Sequence, residues 1–389
     1  MILCFTLMGV YEISAAADLI SKSSDSKSPD HTTDIVNKII PNWMKKNKIS
    51  GAAVEVYCNG VPHSYYFGYT NLTTKKPVTA KTIFEIGSIS KVFTTLLIAE
   101  EINAGKMQLD APIAQYLPDV KAANPLVGRF TLQNLGSHTT GFPLMLPDNI
   151  KTHQELLNYI ANWKSVNPPN SQWVYSNVNI GLLGLALESV THENINQLYK
   201  RLLLNPLGMT PLGVSVPTQL KSELAQGYDE EGNLMPHTGF WMLPAAAAVK
   251  ATGNDMLLFL KASLSLPGTP LAIVSAMHLA QTPYVRTALI KQGLGWVIYS
   301  LDETNRNQLL NPSKNSNIGP IPVVHLDKDK QNFDENALIE KTGGTSGFRS
   351  YIVFIPHQKS GVVILINHHL SDGELLKAGR EILFNLNSV

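Results

Sequence analysis

Two residues of this 389-residue chain, Ser88 and Lys91, have the types and the spacing that nucleophilic catalysis requires. They open an apolar run, 92–99, which is typical of a helix buried on most sides. Residues three apart share one helix face, with Cβ atoms about 5–6 Å apart, so the hydroxyl and the amine can meet. Burial lowers a lysine pKa and favours the neutral amine, which can accept the serine proton. The stretch therefore predicts a serine nucleophile activated by a lysine.

The serine–lysine spacing is weak evidence by itself, because it also occurs by chance. The same letters appear at Ser24-Asp25-Ser26-Lys27, in a polar segment with no apolar run after it. The buried helix expected after Ser88 distinguishes the two copies, so only Ser88 is a candidate nucleophile.

A second motif, Tyr175-Ser176-Asn177, lies between a proline-rich loop and an apolar helical run. The tyrosine could lend a phenolate or relay a proton, and the asparagine could hydrogen-bond an amide. A structural tyrosine at the end of a loop can have the same sequence pattern, so this motif alone does not establish a catalytic role.

A third motif begins at Lys341 and Thr342 and continues through Gly343 and Gly344 toward a strand-like run. A lysine–threonine pair at a sheet edge can hold a carboxylate by charge and hydrogen bond. Glycines there let the backbone approach a ligand closely. A glycine-rich turn before a strand is the alternative interpretation.

Elements from both ends of the chain must position these motifs. The strand-like runs are 52–57, 64–69, 294–300, 351–355 and 361–366, the first two joined by the hairpin signal Asn59-Gly60. The helical runs are 153–163, 178–190, 195–204, 252–263 with a Thr252–Asp255 capping pattern, and 372–386. Residues 303–336 are polar and predict an irregular surface excursion.

Strands at both ends with helices between them predict one α/β domain, built from both termini, with an inserted helical domain. A cleft where the two parts meet is the expected small-molecule site. The predicted boundaries are 1–17 for a signal peptide, 18–34 for a flexible leader, 35–111 and 266–389 for the α/β domain, and 112–265 for the helical domain.

The N-terminal segment predicts secretion. Residues 1–10 are almost wholly apolar, and Ala15-Ala16-Ala17 resembles a cleavage site, although no positive charge precedes them. A short buried N-terminal segment is the alternative. Cleavage would remove one of the two cysteines, so Cys58 would have no partner for an internal disulfide.

The composition is that of an ordered globular protein, with 44% hydrophobic and 16% charged residues. A formal net charge of +1 gives no basis for expecting nucleic acid or an acidic membrane as a partner. Beyond the N-terminus no stretch approaches about 18 uninterrupted apolar residues, so we expect no stable membrane insertion.

In chain order, S-x-x-K, Y-x-N and K-T-G resemble the motifs of the serine β-lactamase and penicillin-binding protein superfamily. A tyrosine at the head of the second motif looks like the class C (AmpC-type) β-lactamases and their esterase and D-alanyl-D-alanine carboxypeptidase relatives. The resemblance covers nearly the whole chain after residue 35. Further family-like stretches are Phe84-Glu85-Ile86-Gly87-Ser88, Asn205-Pro206-Leu207-Gly208-Met209, Leu279-Ala280-Gln281-Thr282-Pro283-Tyr284 and, most typical of class C, Gln292-Gly293-Leu294-Gly295-Trp296.

The resemblance implies a fold, an activity and a location. The fold is the serine β-lactamase and DD-peptidase fold, an antiparallel sheet flanked by helices. Ser88 would open the ring of cephalosporins and penicillins to an acyl-enzyme, which water then hydrolyses, with Lys91 and Tyr175 sharing the proton transfers. We expect a periplasmic monomer that takes a small β-lactam and needs no cofactor and no metal. A D-alanyl-D-alanine carboxypeptidase or an esterase of the same fold is the alternative.

The resemblance also assigns the groups that hold the substrate. Asn177 would touch the side-chain amide, and Lys341 with Thr342 would engage the carboxylate. Gly343 belongs to the same binding strand. The backbone N–H groups of Ser88 and Gly344 would form the oxyanion hole, worth about 3 kcal/mol per donor by analogy with other such holes.

Three positions depart from the family pattern. Met145 stands where class C enzymes usually carry a substrate-contacting glutamine, and Ala247 aligns with a cleft tyrosine. Asp372 replaces a carboxylate-binding asparagine, and close to Lys341 it would weaken the attraction for an anion. These changes predict altered substrate preference without loss of the acylation machinery.

Other classes of protein fit the sequence less well. A metallo-hydrolase would need clustered ligands, and the histidines show no H-E-x-x-H or comparable spacing. An α/β-hydrolase needs G-x-S-x-G, which does not surround Ser88. A penicillin-sensing or cell-wall-binding module would keep the fold without turnover.

Overall fold

The computed structural model describes residues 29–239, 242–313 and 318–387. The predicted signal peptide, 1–17, lies outside these residues. The described helices are α1 (Pro29–Lys46), α2 (Ser90–Asn103), α3 (Pro118–Ala123), α4 (Leu132–Gly136), α5 (His153–Asn162), α6 (Asn177–Thr191), α7 (Ile195–Leu198), α8 (Pro244–Ala247), α9 (Gly253–Ser263), α10 (Leu271–Gln281), α11 (Glu303–Leu310) and α12 (Asp372–Leu386). The described strands are β1 (Gly51–Cys58), β2 (Val61–Asn71), β3 (Lys76–Pro77), β4 (Ile83–Glu85), β5 (Gln172–Trp173), β6 (Gly227–Tyr228), β7 (Leu234–Met235), β8 (Lys250–Thr252), β9 (Val285–Arg286), β10 (Lys291–Gln292), β11 (Val297–Tyr299), β12 (Ile321–Pro322), β13 (Val324–His325), β14 (Leu338–Gly344), β15 (Arg349–Ile355) and β16 (Ser360–Ile366).

Strand β1 joins the two ends of the chain. The turn at Asn59 and Gly60, with φ of 52° and 82°, connects β1 to β2, as the Asn-Gly signal predicts. On its other side β1 pairs with β16, where Ala52 lies opposite Ile366. The N-terminal hairpin and the C-terminal strands therefore form one sheet.

Among the described residues this sheet has ten strands in the order β13-β9-β10-β11-β14-β15-β16-β1-β2-β3, and the pairs are antiparallel. Smaller pairs join β12 to β5, β4 to β8 and β6 to β7. The predicted fold class, α/β with a large antiparallel sheet flanked by helices, is confirmed.

Helices cover both faces of the sheet. Along β16, Val362, Ile364 and Ile366 belong to the core shared with α1 and α12, while Val363 and Leu365 belong to the larger core on the opposite face. Burial on both faces explains why this strand is a continuous apolar run in the sequence.

The helical part of the molecule packs around α2, which is buried over most of its length. Helices α6, α8 and α10 pack against it. Helix α9, which the predicted boundaries assign to the inserted helical domain, packs instead on β1 and β16 of the large sheet. The capping pattern predicted at its start is present, with the Thr252 side chain accepting from Asp255 N.

Several predicted boundaries differ from the structure. Residues 29–34, predicted as part of a flexible leader, begin α1, where Thr32 is buried. The strand predicted at 294–300 is observed only as β11. Gly295 has a φ of 77° and lies in a turn, in which Gly293 N donates a hydrogen bond to Trp296 O.

Two further segments differ in secondary structure from the prediction. The polar stretch 303–336 contains α11, which the Asp302 side chain caps by accepting from Asn305 N, as well as the short strands β12 and β13. The helix predicted at 195–204 starts as α7 and continues as a π-helix over Tyr199–Leu204. Within the described ranges, no helix combines the length and the apolar character needed to cross a membrane.

Candidate active site

Ser88 lies in a single 3-10 turn, Gly87–Ile89, that leads directly into α2. In the first turn of α2, Lys91 Nζ donates hydrogen bonds to Ser88 Oγ (2.8 Å) and to the backbone carbonyl of Ala246 (3.0 Å). The lysine side chain is fully buried. The structure thus brings the predicted nucleophile and its predicted base into direct contact.

Strand β14 lies against this turn because glycines leave room for it. A Cβ on Gly87, whose φ is +50°, would lie 2.5 Å from Gly344 N. A Cβ on Gly343 would lie 2.1 Å from the carbonyl oxygen of Ile86, which also accepts a 2.7 Å hydrogen bond from Ser350 Oγ. Larger residues at 87 or 343 would separate the binding strand from the nucleophile.

Tyr175 occupies the segment between β5 and α6, where its backbone N–H donates to Ile318 O at 2.9 Å. Its ring centroid is 4.9 Å from Lys91 Nζ and 5.1 Å from Lys341 Nζ. The tyrosine hydroxyl is buried and has no hydrogen-bond partner of standard geometry among the described residues. The phenol therefore lies between two cations and close to the nucleophile.

Burial and the neighbouring charges bring the pKa values of Lys91 and Tyr175 close to neutral pH. Burial lowers the pKa of Lys91 to about 8, with Tyr175 opposing this change and Lys341 adding to it. Burial alone would raise the pKa of Tyr175, but the charges of Lys341 and Lys91 and the nearby Ser88 hydroxyl lower it to about 8. Either group can therefore exchange a proton near physiological pH.

His138 is a residue of the site that the sequence analysis missed. Its Nδ1 accepts from Ser176 N at 3.3 Å, and its ring centroid lies 4.7 Å from that of Tyr175. Burial, together with the charges of Lys91 and Lys341, lowers its pKa well below the usual value, so the imidazole is neutral. A polar run, Ser-His-Thr-Thr, between a buried helix and a glycine was the available signal.

The two residues predicted near the substrate's side chain contact each other. Asn177 Nδ2 donates to Met145 Sδ at 2.7 Å, and Asn177 Oδ1 is buried without a partner among the described residues. Because a thioether is a weak acceptor, this contact holds the amide loosely. Met145 is 49% exposed, so it can move away from a ligand.

A cavity of about 640 Å³ collects most of the other predicted residues. Among the residues that line it are Ser88, Tyr175, Lys341, Thr342, Gly343, Gly344 and Asp372. Lys91 lies buried behind the nucleophile, whereas Asn177 and Met145 are not part of this lining. Ala247 is buried in α8, also away from the lining, so it does not widen this cavity directly.

Asp372 is the first residue of α12, and its ion pair is with a residue that the sequence analysis did not single out. Asp372 Oδ1 lies 3.7 Å from Arg349 Nε. Lys341 Nζ instead donates to the carbonyl of Thr342 at 2.6 Å. The carboxylate is therefore paired with a guanidinium, and is not an isolated negative charge beside Lys341.

The described residues contain no group of three or more histidine, cysteine, aspartate or glutamate side chains placed to hold a metal ion. The groups that meet at Ser88 are those of serine chemistry: a hydroxyl, a buried amine, a phenol and backbone N–H groups. A hydroxyl beside a buried amine and a phenol is the arrangement that serine nucleophilic chemistry requires.

The chain is similar to a known family of proteins over most of its length. The model of the beta-lactamase family matches residues 36–385. A beta-lactamase of Escherichia coli K12 is 31% identical over 96% of this chain and 99% of its own length, and one of Pseudomonas fluorescens is 30% identical over 90% and 97%.

Solved structures agree as well. A class C beta-lactamase in complex with cefoxitin matches with a TM-score of 0.85 and 28% identity, over 92% of this chain and 99% of that one. A D-alanine carboxypeptidase AmpC from Burkholderia cenocepacia has the same TM-score and 29% identity, over 93% and 100%.

The chain belongs to the beta-lactamase family. Within it, the resemblance to the class C (AmpC-type) serine β-lactamases is confirmed, and the chain is an enzyme of that type.

Proposed function

We propose that this enzyme hydrolyses β-lactams, cephalosporins and penicillins, through an acyl-enzyme on Ser88. The observation that carries the proposal is the 2.8 Å contact between Ser88 Oγ and the buried amine of Lys91, whose pKa is about 8. Relatives named beta-lactamases support hydrolysis of β-lactams by the family.

In the acylation step, Ser88 Oγ attacks the lactam carbonyl as its proton passes to the Lys91–Tyr175 pair. A carbon–oxygen bond forms, and the tetrahedral intermediate then breaks the ring carbon–nitrogen bond. The ring nitrogen takes a proton from the same pair, with Tyr175 as the donor that faces the cavity. The N–H groups of Ser88 and Gly344 stabilise the oxyanion, since the nucleophile turn and β14 are in contact.

In the deacylation step, water attacks the ester carbonyl. Tyr175, as a phenolate, accepts the water proton, because the two neighbouring cations keep its pKa at about 8. The ester bond breaks, the acid leaves, and the serine oxygen recovers its proton. His138 remains neutral, so it does not add a third positive charge to the site.

Substrate binding uses both sides of the nucleophile. We assign the substrate's side-chain amide to Asn177, whose Oδ1 is buried without a partner among the described residues. Met145 gives up its weak contact with Asn177 when the amide arrives. Lys341 and Thr342, with Gly343 between Thr342 and the oxyanion hole, engage the carboxylate from β14.

Replacing the nucleophile tests this proposal. Ser88→Ala should abolish covalent labelling by a penicillin, measured as the mass of the intact protein and of its peptides. Ser24→Ala, which removes the serine of the second S-x-x-K sequence, is the matched control and should label fully. An adduct at another residue, or undiminished labelling of Ser88→Ala, would overturn the assignment.

A second function, that of a D-alanyl-D-alanine carboxypeptidase or an esterase, is favoured by one observation. A structure that matches this chain with a TM-score of 0.85 is called a D-alanine carboxypeptidase. Steady-state hydrolysis of a cephalosporin set, a p-nitrophenyl ester and a D-Ala-D-Ala peptide separates the functions. Brisk turnover of the ester or peptide, with β-lactams that acylate and stay bound, would favour this second function.

We further propose that residues 1–17 direct export to the periplasm and that the mature enzyme is a monomer. The apolar start and Ala15-Ala16-Ala17 motivate the first part. Fractionation of cells that express the full chain and a chain lacking residues 2–17 tests it, since only the former should reach the periplasm. Light scattering of the purified enzyme tests the monomer.

A further inference from the structure

Arg349 lies in the wall of the active-site cavity, at a place that only a glycine neighbour permits. The register of β14 and β15 pairs it with Gly344. A Cβ on Gly344 would lie 2.5 Å from Arg349 Nη1 and 2.9 Å from Cζ. The guanidinium therefore packs against the peptide that supplies the proposed oxyanion-hole N–H.

Backbone carbonyls hold one edge of this guanidinium. Arg349 Nε donates to Leu370 O (2.9 Å), and Nη1 donates to Thr345 O (2.9 Å) and Phe348 O (3.1 Å). Nη2 donates to Nε2 of His369. These contacts fix the group, and the side chain keeps 14% of its surface exposed where it lines the cavity.

His369 serves as the acceptor because it is neutral. Burial and the charge of Arg349 lower its pKa, although Glu230 opposes this change. Its other nitrogen, Nδ1, lies 3.2 Å from Glu230 Oε1, which accepts the remaining ring proton. The guanidinium thus stays charged and held in one orientation.

The cavity wall at Arg349 and Lys341 carries positive charge that can attract an anion. Glu340 and Arg380 neutralise each other at 2.6 Å, whereas Asp372 is 3.7 Å from Arg349, beyond hydrogen-bond distance. Lys341 has no acidic partner among the ion pairs of the described residues. A substrate carboxylate can displace the loose pair and bind the guanidinium more closely.

We propose that Arg349 is a specificity-determining residue that binds the carboxylate of anionic substrates beside Lys341 and Thr342. Asp372 is then not a substrate ligand but a competitor that occupies the guanidinium in the free enzyme. The substrate class is an acyl donor carrying a carboxylate on its leaving side. This proposal rests on the proposed function in taking a β-lactam carboxylate as that anion.

The test compares Arg349→Gln with the parent on a cephalosporin and on the methyl ester of the same cephalosporin. We expect kcat/KM for the free acid to fall about tenfold to a hundredfold, mainly through KM, because a charge-assisted contact is lost. For the methyl ester the change should be much smaller. Arg129→Gln, which removes an exposed arginine away from the cavity lining, is the matched control. Equal losses on acid and ester, or no loss on either, would overturn the proposal.

Gly344→Ala is a second variant that leaves every charge in place. Its Cβ would meet Arg349 Nη1 at 2.5 Å and must displace the guanidinium. Because Gly344 also supplies a proposed oxyanion-hole N–H, the readout is the ratio of kcat/KM on the acid to kcat/KM on the methyl ester. This ratio should fall as in Arg349→Gln, which keeps the proposal testable if Arg349→Gln does not fold. A Gly344→Ala enzyme with unchanged preference for the acid would contradict the proposal.

A double-variant cycle tests the role of Asp372. Asp372→Asn should lower KM for the acid about threefold to tenfold, because the guanidinium is no longer shared. In the Arg349→Gln background this gain should disappear. A gain of the same size in both backgrounds would show direct repulsion by Asp372 and overturn the competitor role.

Loss of β-lactam hydrolysis and absence of an anion site at Arg349 give different experimental results. If the parent enzyme hydrolysed neither β-lactam, the proposed function would fail. Arg349 would then be tested with 3-carboxyphenyl acetate against phenyl acetate, which differ by one carboxylate on the leaving group. A loss confined to the carboxyphenyl ester would support the anion site, and equal losses would refute it.

Discussion

Replacing Lys341 by methionine tests how the site sets its working pH. The change removes one buried positive charge and keeps a side chain of similar length. Lys341 lowers the pKa values of both Tyr175 and Lys91, which are about 8 in the intact site. Without it, the Tyr175 phenolate loses a stabilising cation and the Lys91 ammonium loses a repelling one. Both pKa values must therefore rise.

The size of the effect follows from the distance. Lys341 Nζ lies 5.1 Å from the centroid of the Tyr175 ring. Two unit charges separated by about that distance interact by about 3 kcal/mol at an effective dielectric constant of about 20, which corresponds to about two pH units. The group that accepts the proton is inactive once protonated, so activity is lost on the acid side. We expect the acid limb of the kcat/KM profile to move up by about one to two pH units in Lys341→Met.

The assay uses p-nitrophenyl acetate, because a neutral ester does not need the carboxylate contact of Lys341. Release of nitrophenol is followed at its isosbestic wavelength from pH 5 to 10. Lys38→Met, at an exposed position of α1, is the control and should reproduce the parent profile. An acid limb that stays within about 0.3 pH units of the parent would refute the electrostatic reasoning.

Three further predictions follow from the same site. Tyr175→Phe should lower kcat about 10²- to 10⁴-fold with a small change in KM, because the phenol moves protons; an unchanged kcat in steady-state assays would make Tyr175 structural. Gly87→Ala places a Cβ 2.5 Å from Gly344 N at a φ of +50° and should reduce kcat by about 10²-fold or more through loss of an oxyanion donor, with thermal unfolding as the check on folding. Because every proposed step uses groups of the protein, activity should be unchanged after EDTA treatment, and a loss restored by zinc would contradict the serine mechanism.

Local signals predicted the elements that carry the chemistry. Asn59 and Gly60 have the positive φ values that a tight hairpin requires, so the dipeptide predicted the turn between β1 and β2. The closing helix, predicted at 372–386, is α12. The three-residue spacing of Ser88 and Lys91 gave their contact, because a helix turn fixes that geometry within one segment.

Local sequence signals could not predict the features that depend on pairing between distant segments. The contact of Arg349 with Gly344 follows from the register of β14 against β15 and from the absence of a side chain at 344. The sequence pattern predicts Asp372 beside Lys341, but the fold brings it to Arg349. His138 was missed for a similar reason, since it reaches Tyr175 only when the loop before α5 packs against the start of α6.

The pairing of β1 with β16 limits how early in synthesis the large sheet can form. Ala52 finds Ile366 only after nearly the whole chain has been synthesised, at a rate of about 5–20 residues per second. Until then the β1–β2 hairpin forms locally but keeps one edge of unpaired N–H and C=O groups, a surface that favours pairing with other chains. That edge stays exposed until β16 has been synthesised, and the binding strand β14 is likewise among the last strands of the chain to be made.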